Sequence, residues 1–151
     1  KTITLGSTGI TTVQNAFGAL PIQRISTQEA VHLLRKAYDG GMTFFDTARA
    51  YSDSEKKGAA FDGMREKIFI ASKTMAQTPE DFWAQLHTSL RNLRTDYIDI
   101  YQFHCANRCF APGDGTGMYE CMLEARQQGK IRHIAITAHK YGIAQEAIAS
   151  G

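Results

Sequence analysis

Short apolar runs alternate with helical segments along most of this 151-residue chain. Three of these runs, at residues 42–46, 68–73 and 97–104, are rich in β-branched and aromatic residues, and each is followed by a loop or helix signal. That composition is typical of buried strands in a parallel sheet. Strict alternation of such strands with helices predicts an α/β fold with right-handed crossovers.

The predicted element order is a β-hairpin followed by five βα units. The hairpin joins residues 3–5 to residues 10–13, and the barrel-type strands are predicted at residues 15–20, 42–47, 67–74, 97–104 and 131–137. Helices are predicted to begin after Ser26, after Thr78, at Met118 and at Tyr141, with a loop and short helix at residues 52–63. This order fits a doubly wound sheet or part of a (β/α)8 barrel, and the pattern alone does not decide between them.

Composition argues against several classes of function. The formal net charge of +2 is too small to favour nucleic acid or a membrane surface as a partner. No apolar run approaches the roughly 20 residues that cross a bilayer, and no signal peptide is visible. The cysteine count of three is odd, which argues against a disulfide framework and favours a cytoplasmic protein.

Two common cofactor motifs have no support in the sequence. Cys105, Cys109 and Cys121 match no common zinc or iron–sulfur spacing, so no metal site is predicted. No Gly-x-Gly-x-x-Gly follows a predicted strand, so a Rossmann site is not expected.

Four polar residues lie at or just beyond the C-terminal ends of three predicted strands: Asp46, Tyr51, Lys73 and His104, called here the tetrad. In a parallel sheet those strand ends share one face, so the four side chains are expected to converge there. A carboxylate, a phenol, an amine and an imidazole suit proton transfer to a carbonyl oxygen. Each residue alone also fits an ordinary role, as a turn residue, a packing aromatic, a solvated lysine or a core histidine. Their occurrence together, in this order, favours catalysis.

Four segments resemble those of a known family. Residues 45–51 (FDTARAY), with Ser-Glu shortly after, resemble the aldo-keto reductase signature. Residues 68–74 (IFIASKT) and 97–104 (YIDIYQFH) are similar to its lysine and histidine strands, and residues 129–136 (GKIRHIAI) to the segment that leads into its fifth strand. The leading hairpin also matches, since these barrels carry one as a bottom plug. The chain is therefore identified as a member of the aldo-keto reductase family.

The resemblance implies a (β/α)8 TIM barrel and an NADPH- or NADH-dependent oxidoreductase that reduces small aldehydes or ketones to alcohols. Tyr51 would be the general acid that gives its proton to the carbonyl oxygen. Lys73 beside it would favour the phenolate, and Asp46 would keep Lys73 charged and aimed. His104 would orient and polarise the substrate carbonyl. The hydride chemistry would belong to the cofactor, and the protein would supply position and field.

Two segments depart from the family pattern. Many members place a Ser-Asn pair after the fifth strand to grip the nicotinamide carboxamide, whereas residues 137–139 here read TAH. Thr137 can supply the hydroxyl, and the resemblance assigns Asp46, Thr137 and His139 to the cofactor. Ser/Thr-small-His at this place resembles a bacterial branch whose longer members carry a C-terminal ferredoxin-like iron–sulfur segment. Residues 54–58 are also one residue shorter than usual before their glycine, which leaves the start of the second barrel helix open.

Length indicates a partial barrel. A (β/α)8 barrel runs about 250 residues, whereas five barrel strands are predicted in this chain, so residues 1–151 are expected to be one partial domain that corresponds to the N-terminal portion of a reductase. The loops that usually bind phosphate follow strands seven and eight, so weak or absent NADPH binding is expected. Open edges near residues 15–20 and 134–137 predict self-association. So do inward side chains that lack an opposite wall, expected to include Phe44, Ile70, Ile100 and Ile136.

Two alternatives stay open at this point. The chain could be a non-catalytic structural fragment, or a self-associating partial barrel without tight cofactor binding. It could also be a complete flavodoxin-like binding module of five βα units, which fits the length but does not explain the tetrad.

Overall fold

A computed structural model describes residues 1–150, and Gly151, the last residue of the predicted domain, lies outside the described part. Two strands, β1 (Thr2–Thr4) and β2 (Thr11–Val13), pair antiparallel as the predicted hairpin. A second, parallel sheet has five strands, which are β3 (Phe17–Gly18), β4 (Phe44–Asp46), β5 (Phe69–Thr74), β6 (Ile98–Phe103) and β7 (Ile131–Ile136).

The strand order distinguishes between the two architectures that the sequence allowed. The parallel sheet runs β3-β4-β5-β6-β7, so each strand pairs with its neighbour along the chain. A doubly wound or flavodoxin-like sheet reverses its order at a switch point, and this sheet has no reversal among residues 1–150. The flavodoxin-like alternative is therefore wrong, and the five strands form one side of a barrel wall.

Four α-helices follow the strands: α1 (Thr27–Asp39), α2 (Pro79–Leu93), α3 (Met118–Gln127) and α4 (Tyr141–Ala149). The first begins with the predicted capping box, in which Ser26 Oγ accepts from the backbone N–H of Glu29 and the Glu29 carboxylate accepts from Ser26 N. The second begins at Thr78, whose Oγ1 accepts from Asp81 N, with proline at the first helical position. Local capping chemistry thus fixes where these helices start.

The connection from β4 to β5 contains no α-helix among its residues. It forms a 3-10 helix over Ser54–Phe61 and a shorter one over Arg65–Lys67. Gly58 lies against the C-terminal turn of α2, where a side-chain Cβ would be only 3.0 Å from Leu93 Cα. The backbone therefore approaches α2 more closely than a residue with a side chain usually does, and the tighter 3-10 helix accommodates the short segment.

The two faces of the parallel sheet have different surroundings. One face packs against the helices and carries the core, including Phe45, Ile70, Tyr101 and Phe103. Side chains from the helices complete that core, among them Leu34, Phe82, Leu86 and Met122. The other face corresponds to the interior of the barrel.

The interior face carries a mixture of apolar and polar side chains. Strand register aligns Asp46 with Ala71 and Ile100, and Lys73 with Gln102. Because side chains alternate along a strand, these residues and Phe44 share one face. The prediction that Ile70 and Ile136 point inward is wrong. Ile70 pairs with Phe45 and Ile136 with Phe103, which places both on the helix-covered face.

Candidate active site

An ion pair joins the ends of β4 and β5. Lys73 Nζ donates to Asp46 Oδ2 at 2.6 Å and to the backbone carbonyl of Thr47 at 2.7 Å. The lysine side chain is only 6% exposed, while that of Asp46 is 34% exposed. A buried ammonium is costly unless it is paired and hydrogen-bonded. Both acceptors come from the end of β4, so the ammonium is held at one place on the interior face.

Tyr51 lies in the loop after β4, above that ammonium. Lys73 Nζ is 5.0 Å from the centroid of the Tyr51 ring, a cation–π distance. The loop extends the pairing with β5, since Arg49 N donates to the carbonyl of Lys73 at 3.0 Å. Tyr51 N then donates to the carbonyl of Ala48 at 3.1 Å, which turns the chain back over the strand ends.

A buried carboxylate ties this loop to β5. Glu55 is 1% exposed, accepts from Ser72 Oγ at 2.7 Å and forms an ion pair with Arg49. Arg49 also donates to the carbonyl of Ser52 at 3.0 Å. Sequence reasoning did not identify Arg49 or Glu55 as site-supporting residues, although both lie within or beside the signature segment. Together they fix the loop that carries Tyr51.

His104 follows β6 and completes the cluster. Its ring lies 5.5 Å from the Tyr51 ring in an edge-to-face arrangement, with an angle of 81° between the planes. Burial lowers the pKa of His104, and the charges of Lys73 and His139 lower it further, while Asp46 opposes them. The imidazole is therefore neutral at pH 7. Its Nδ1 is buried and has no hydrogen-bond partner among residues 1–150.

Gln102 also belongs to this cluster, and sequence reasoning missed it. It lies two residues before His104 on the interior face, and its Nε2 is 3.5 Å from Asp46 Oδ1. Residues two positions apart on a strand share a face, so the position of Gln102 relative to His104 was the sequence signal that could have identified it. An amide, a carboxylate, an ammonium, a phenol and an imidazole thus lie together at the carboxyl ends of β4, β5 and β6.

The two residues predicted after β7 lie beside this cluster and contact Cys105. Thr137 Oγ1 accepts from Cys105 N at 2.9 Å and lies 3.4 Å from the carbonyl of Phe103. His139 is exposed, and its Nε2 lies 3.5 Å from Cys105 Sγ. Among the described residues, no group of three or more metal-ligating side chains is assembled.

Comparison with known proteins gives the same family as the sequence motifs. The family model described as "Aldo/keto reductase family" matches residues 2–150. The chain belongs to the aldo/keto reductase family. The predicted fold is thereby confirmed as well, since solved aldo/keto reductases superpose on it.

Two relatives and one solved structure illustrate the likeness. Methylglyoxal reductase YeaE of Escherichia coli K12 is 36% identical over 121 residues, which are 77% of this chain and 41% of the relative. Aldo-keto reductase YhdN of Bacillus subtilis is 31% identical over 123 residues, covering 72% of this chain and 36% of the relative. An aldo-keto reductase from Klebsiella pneumoniae, solved in complex with NADPH, superposes with a TM-score of 0.82 at 28% identity. The superposition covers 96% of this chain and 52% of the Klebsiella chain.

In each of these comparisons most of this chain is matched, but only part of the relative is matched. The chain corresponds to the N-terminal portion of the aldo/keto reductase family and spans about half or less of the length of the relatives named above. Among residues 1–150, no helix is both long enough and apolar enough to cross a membrane.

Proposed function

We propose that this chain carries the proton-transfer residues of an NADPH- or NADH-dependent reductase that converts aldehydes or ketones to alcohols. The observation that carries the proposal is the buried ammonium of Lys73, held by Asp46 and Thr47 and lying 5.0 Å from the Tyr51 ring. A fixed positive charge beside a phenol stabilises the phenolate that remains after the proton is given away. Tyr51 is therefore the proposed general acid.

His104 is proposed to orient the substrate. Its neutral imidazole can donate one hydrogen bond without placing a second positive charge beside Lys73. Its ring contacts the Tyr51 ring edge-to-face, with 5.5 Å between the ring centroids, so the proposed substrate-orienting group lies directly beside the proposed acid. Asp46 and Thr47 keep the ammonium of Lys73 in place through the reaction.

The interior face has groups that fit the nicotinamide end of a cofactor. Thr137 Oγ1 donates only a long hydrogen bond, 3.4 Å to the carbonyl oxygen of Phe103, so its hydroxyl is available to a carboxamide oxygen. Asp46, Thr137 and His139 are the residues proposed to hold this group. When bound, the nicotinamide supplies hydride to the carbonyl carbon.

Methylglyoxal is the first substrate to test, because YeaE is named a methylglyoxal reductase. The experiment joins residues 1–150 to the portion of YeaE that lies beyond the position equivalent to Ser150, which would supply the remaining barrel strands. Oxidation of NADPH on addition of methylglyoxal, above that of the isolated 151-residue chain, is the expected result.

The alternative function, a non-catalytic partial barrel that self-associates, makes a different prediction for the same fusion. A fusion that is folded and binds NADPH, yet reduces neither methylglyoxal nor other small aldehydes, would contradict the catalytic proposal and favour the structural one. Unmodified YeaE, assayed in parallel, is the positive control for the assay.

A further inference from the structure

A thiol and an imidazole meet at the rim of the candidate site. Cys105 Sγ is 3.5 Å from His139 Nε2, within reach of a sulfur hydrogen bond, and both residues are exposed. Two hydrogen bonds join the loops that carry them: Cys105 N donates to the Thr137 side-chain Oγ1 at 2.9 Å, and Ala106 N donates to the Thr137 carbonyl at 2.7 Å. The contact therefore lies between two segments that are fixed to each other.

This pair borders the tetrad. Cys105 directly follows His104 in the chain. Burial lowers the pKa of His104 most, and the charges of Lys73 and then His139 lower it further. A molecule attached to Cys105 would therefore lie beside the group proposed to bind the substrate carbonyl.

We propose that Cys105 and His139 form a nucleophile–base pair that adds covalently to α,β-unsaturated aldehydes. His139 Nε2 takes the thiol proton, and Cys105 Sγ forms a bond to the β-carbon. The π electron pair of the conjugated system moves onto the carbonyl oxygen as an enolate, and the proton on His139 is then delivered to the α-carbon. The product is a saturated thioether aldehyde, and no oxidant or reductant is consumed.

The two parts of this proposal have different foundations. The nucleophile–base pair depends only on the geometry of Cys105 and His139, which is the arrangement that activates cysteine nucleophiles. The aldehyde as ligand rests on the proposed carbonyl reductase function, because the tetrad would draw aldehydes to this rim. Two reagents separate these foundations: iodoacetamide, which needs only a reactive thiol, and crotonaldehyde, which is the proposed ligand class.

The other two cysteines provide internal references in the same chain. Cys121 is buried, and burial, together with Glu124 and Glu120, raises the pKa of its thiol. Cys109 is partly buried, and its Sγ lies 3.9 Å from the carbonyl of Phe110 rather than near a base. Exposure and the imidazole thus distinguish Cys105 from both.

The test measures alkylation of each cysteine by mass spectrometry on the 151-residue chain. Because His139 Nε2 lies where it can take the thiol proton, modification of Cys105 is expected to be about tenfold faster than that of Cys109. His139→Gln should slow modification of Cys105 about tenfold while leaving it exposed. Lys140→Gln is the matched control, since it removes a neighbouring exposed charge but no base.

Each outcome decides part of the proposal. Equal rates in the wild-type chain and in His139→Gln, or an equal loss in Lys140→Gln, would overturn the nucleophile–base pair. Selective, His139-dependent reaction of Cys105 with iodoacetamide but not with crotonaldehyde would overturn the ligand class and leave the reductase proposal untouched. Selective, His139-dependent reaction with both reagents supports the proposal. This result does not depend on whether the chain reduces any carbonyl.

Discussion

Lys73 is the residue around which the candidate site is organised. Its ammonium lies almost entirely out of solvent, and its two acceptors, Asp46 Oδ2 and the Thr47 carbonyl, lie at 2.6 and 2.7 Å. Removing one partner from a buried ion pair leaves an uncompensated charge. Substitutions in the tetrad are therefore expected to change the charge beside Tyr51 as well as the rate of proton transfer.

Tyr51→Phe removes the proposed acid and retains the ring that packs over Lys73. In the YeaE fusion, the rate of carbonyl reduction should fall by about 10²-fold or more, the usual scale for loss of a general acid. NADPH affinity should change little. Tyr141→Phe, at a tyrosine that is 78% exposed on α4, is the control. Near-normal turnover by Tyr51→Phe would remove this residue from the mechanism.

Asp46→Asn and Lys73→Met test whether the ion pair acts as one unit. Each single variant should lower the rate, because each disturbs the charge beside Tyr51. The double variant should lose less than the sum of the two single losses, expressed as free energies, since both act through the same phenol. Steady-state kinetics on the four proteins give the coupling, and strict additivity would show that the two residues serve separate roles.

His104→Gln tests the lowered pKa of that imidazole through stability. A histidine whose pKa is lowered by folding contributes stability that is complete above its unfolded pKa of about 6.5 and is lost as the pH falls through the lower folded value. Urea midpoints of the 151-residue chain should therefore drop as the pH falls from about 7 to below about 6.5, and less steeply in His104→Gln. His32→Gln, at an exposed position on α1, is the control. Identical pH slopes in wild type and His104→Gln would contradict the burial argument.

The sequence was sufficient to place the tetrad residues on neighbouring strand ends, because each follows a clearly apolar run. It could not show the contacts of Glu55 and Gln102, since Glu55 reaches Ser72 from the 3-10 helix and Gln102 reaches Asp46 two strands away. It also could not show that Thr137 and His139 contact Cys105, since that contact joins two loops 32 or more residues apart. Contacts between distant loops leave no local pattern to read.

At the scale of elements, the short helix predicted within residues 52–63 is present as a 3-10 helix over Ser54–Phe61. Helix starts at Ser26 and Thr78 were predictable from capping chemistry, which is local. The short segment before Gly58 could not be assigned from sequence, because its conformation depends on how closely it approaches α2. That approach is possible only where no side chain intervenes.

Gly58→Ala should destabilise the chain. The new Cβ would lie 3.0 Å from Leu93 Cα and 3.1 Å from the Leu93 carbonyl oxygen, so backbone must move. Overpacking of this kind typically costs about 1–3 kcal/mol, measured as a lower urea midpoint. Gly142→Ala is the matched control, since its Cβ meets nothing within 4 Å and the position lies in α4. A Gly58→Ala chain as stable as wild type would show that the close approach is not required.

At the scale of the whole molecule, the parallel sheet has two open edges and an uncovered face. The outer strands of the described sheet are β3 and β7, and Phe44 and Ile100 on the interior face are only partly buried. Unpaired strand edges pair readily with other chains. The alternation of elements predicted a parallel sheet, the family resemblance implied a barrel, and the observed strand order agrees with a barrel wall.

The 151-residue chain is predicted to self-associate and to bind NADPH weakly or not at all. Open edges and an uncovered interior face favour association, and the loops that bind phosphate in such barrels follow strands seven and eight. Light scattering should give a mass above 16.7 kDa. Fluorescence titration should detect no tight NADPH binding. A monodisperse monomer that binds NADPH at micromolar concentration would contradict both parts.

The order of the strands has a consequence for how the site is assembled in time. All four tetrad residues are carried by β4, β5 and β6 or by the loops that follow them, and these strands pair only with their immediate neighbours in the chain. Contacts between nearby segments form faster than contacts between distant ones, because less chain entropy is lost in closing them. We therefore expect the proposed proton-transfer residues to come together early in folding, before the outer strands β3 and β7 pair with any further strand.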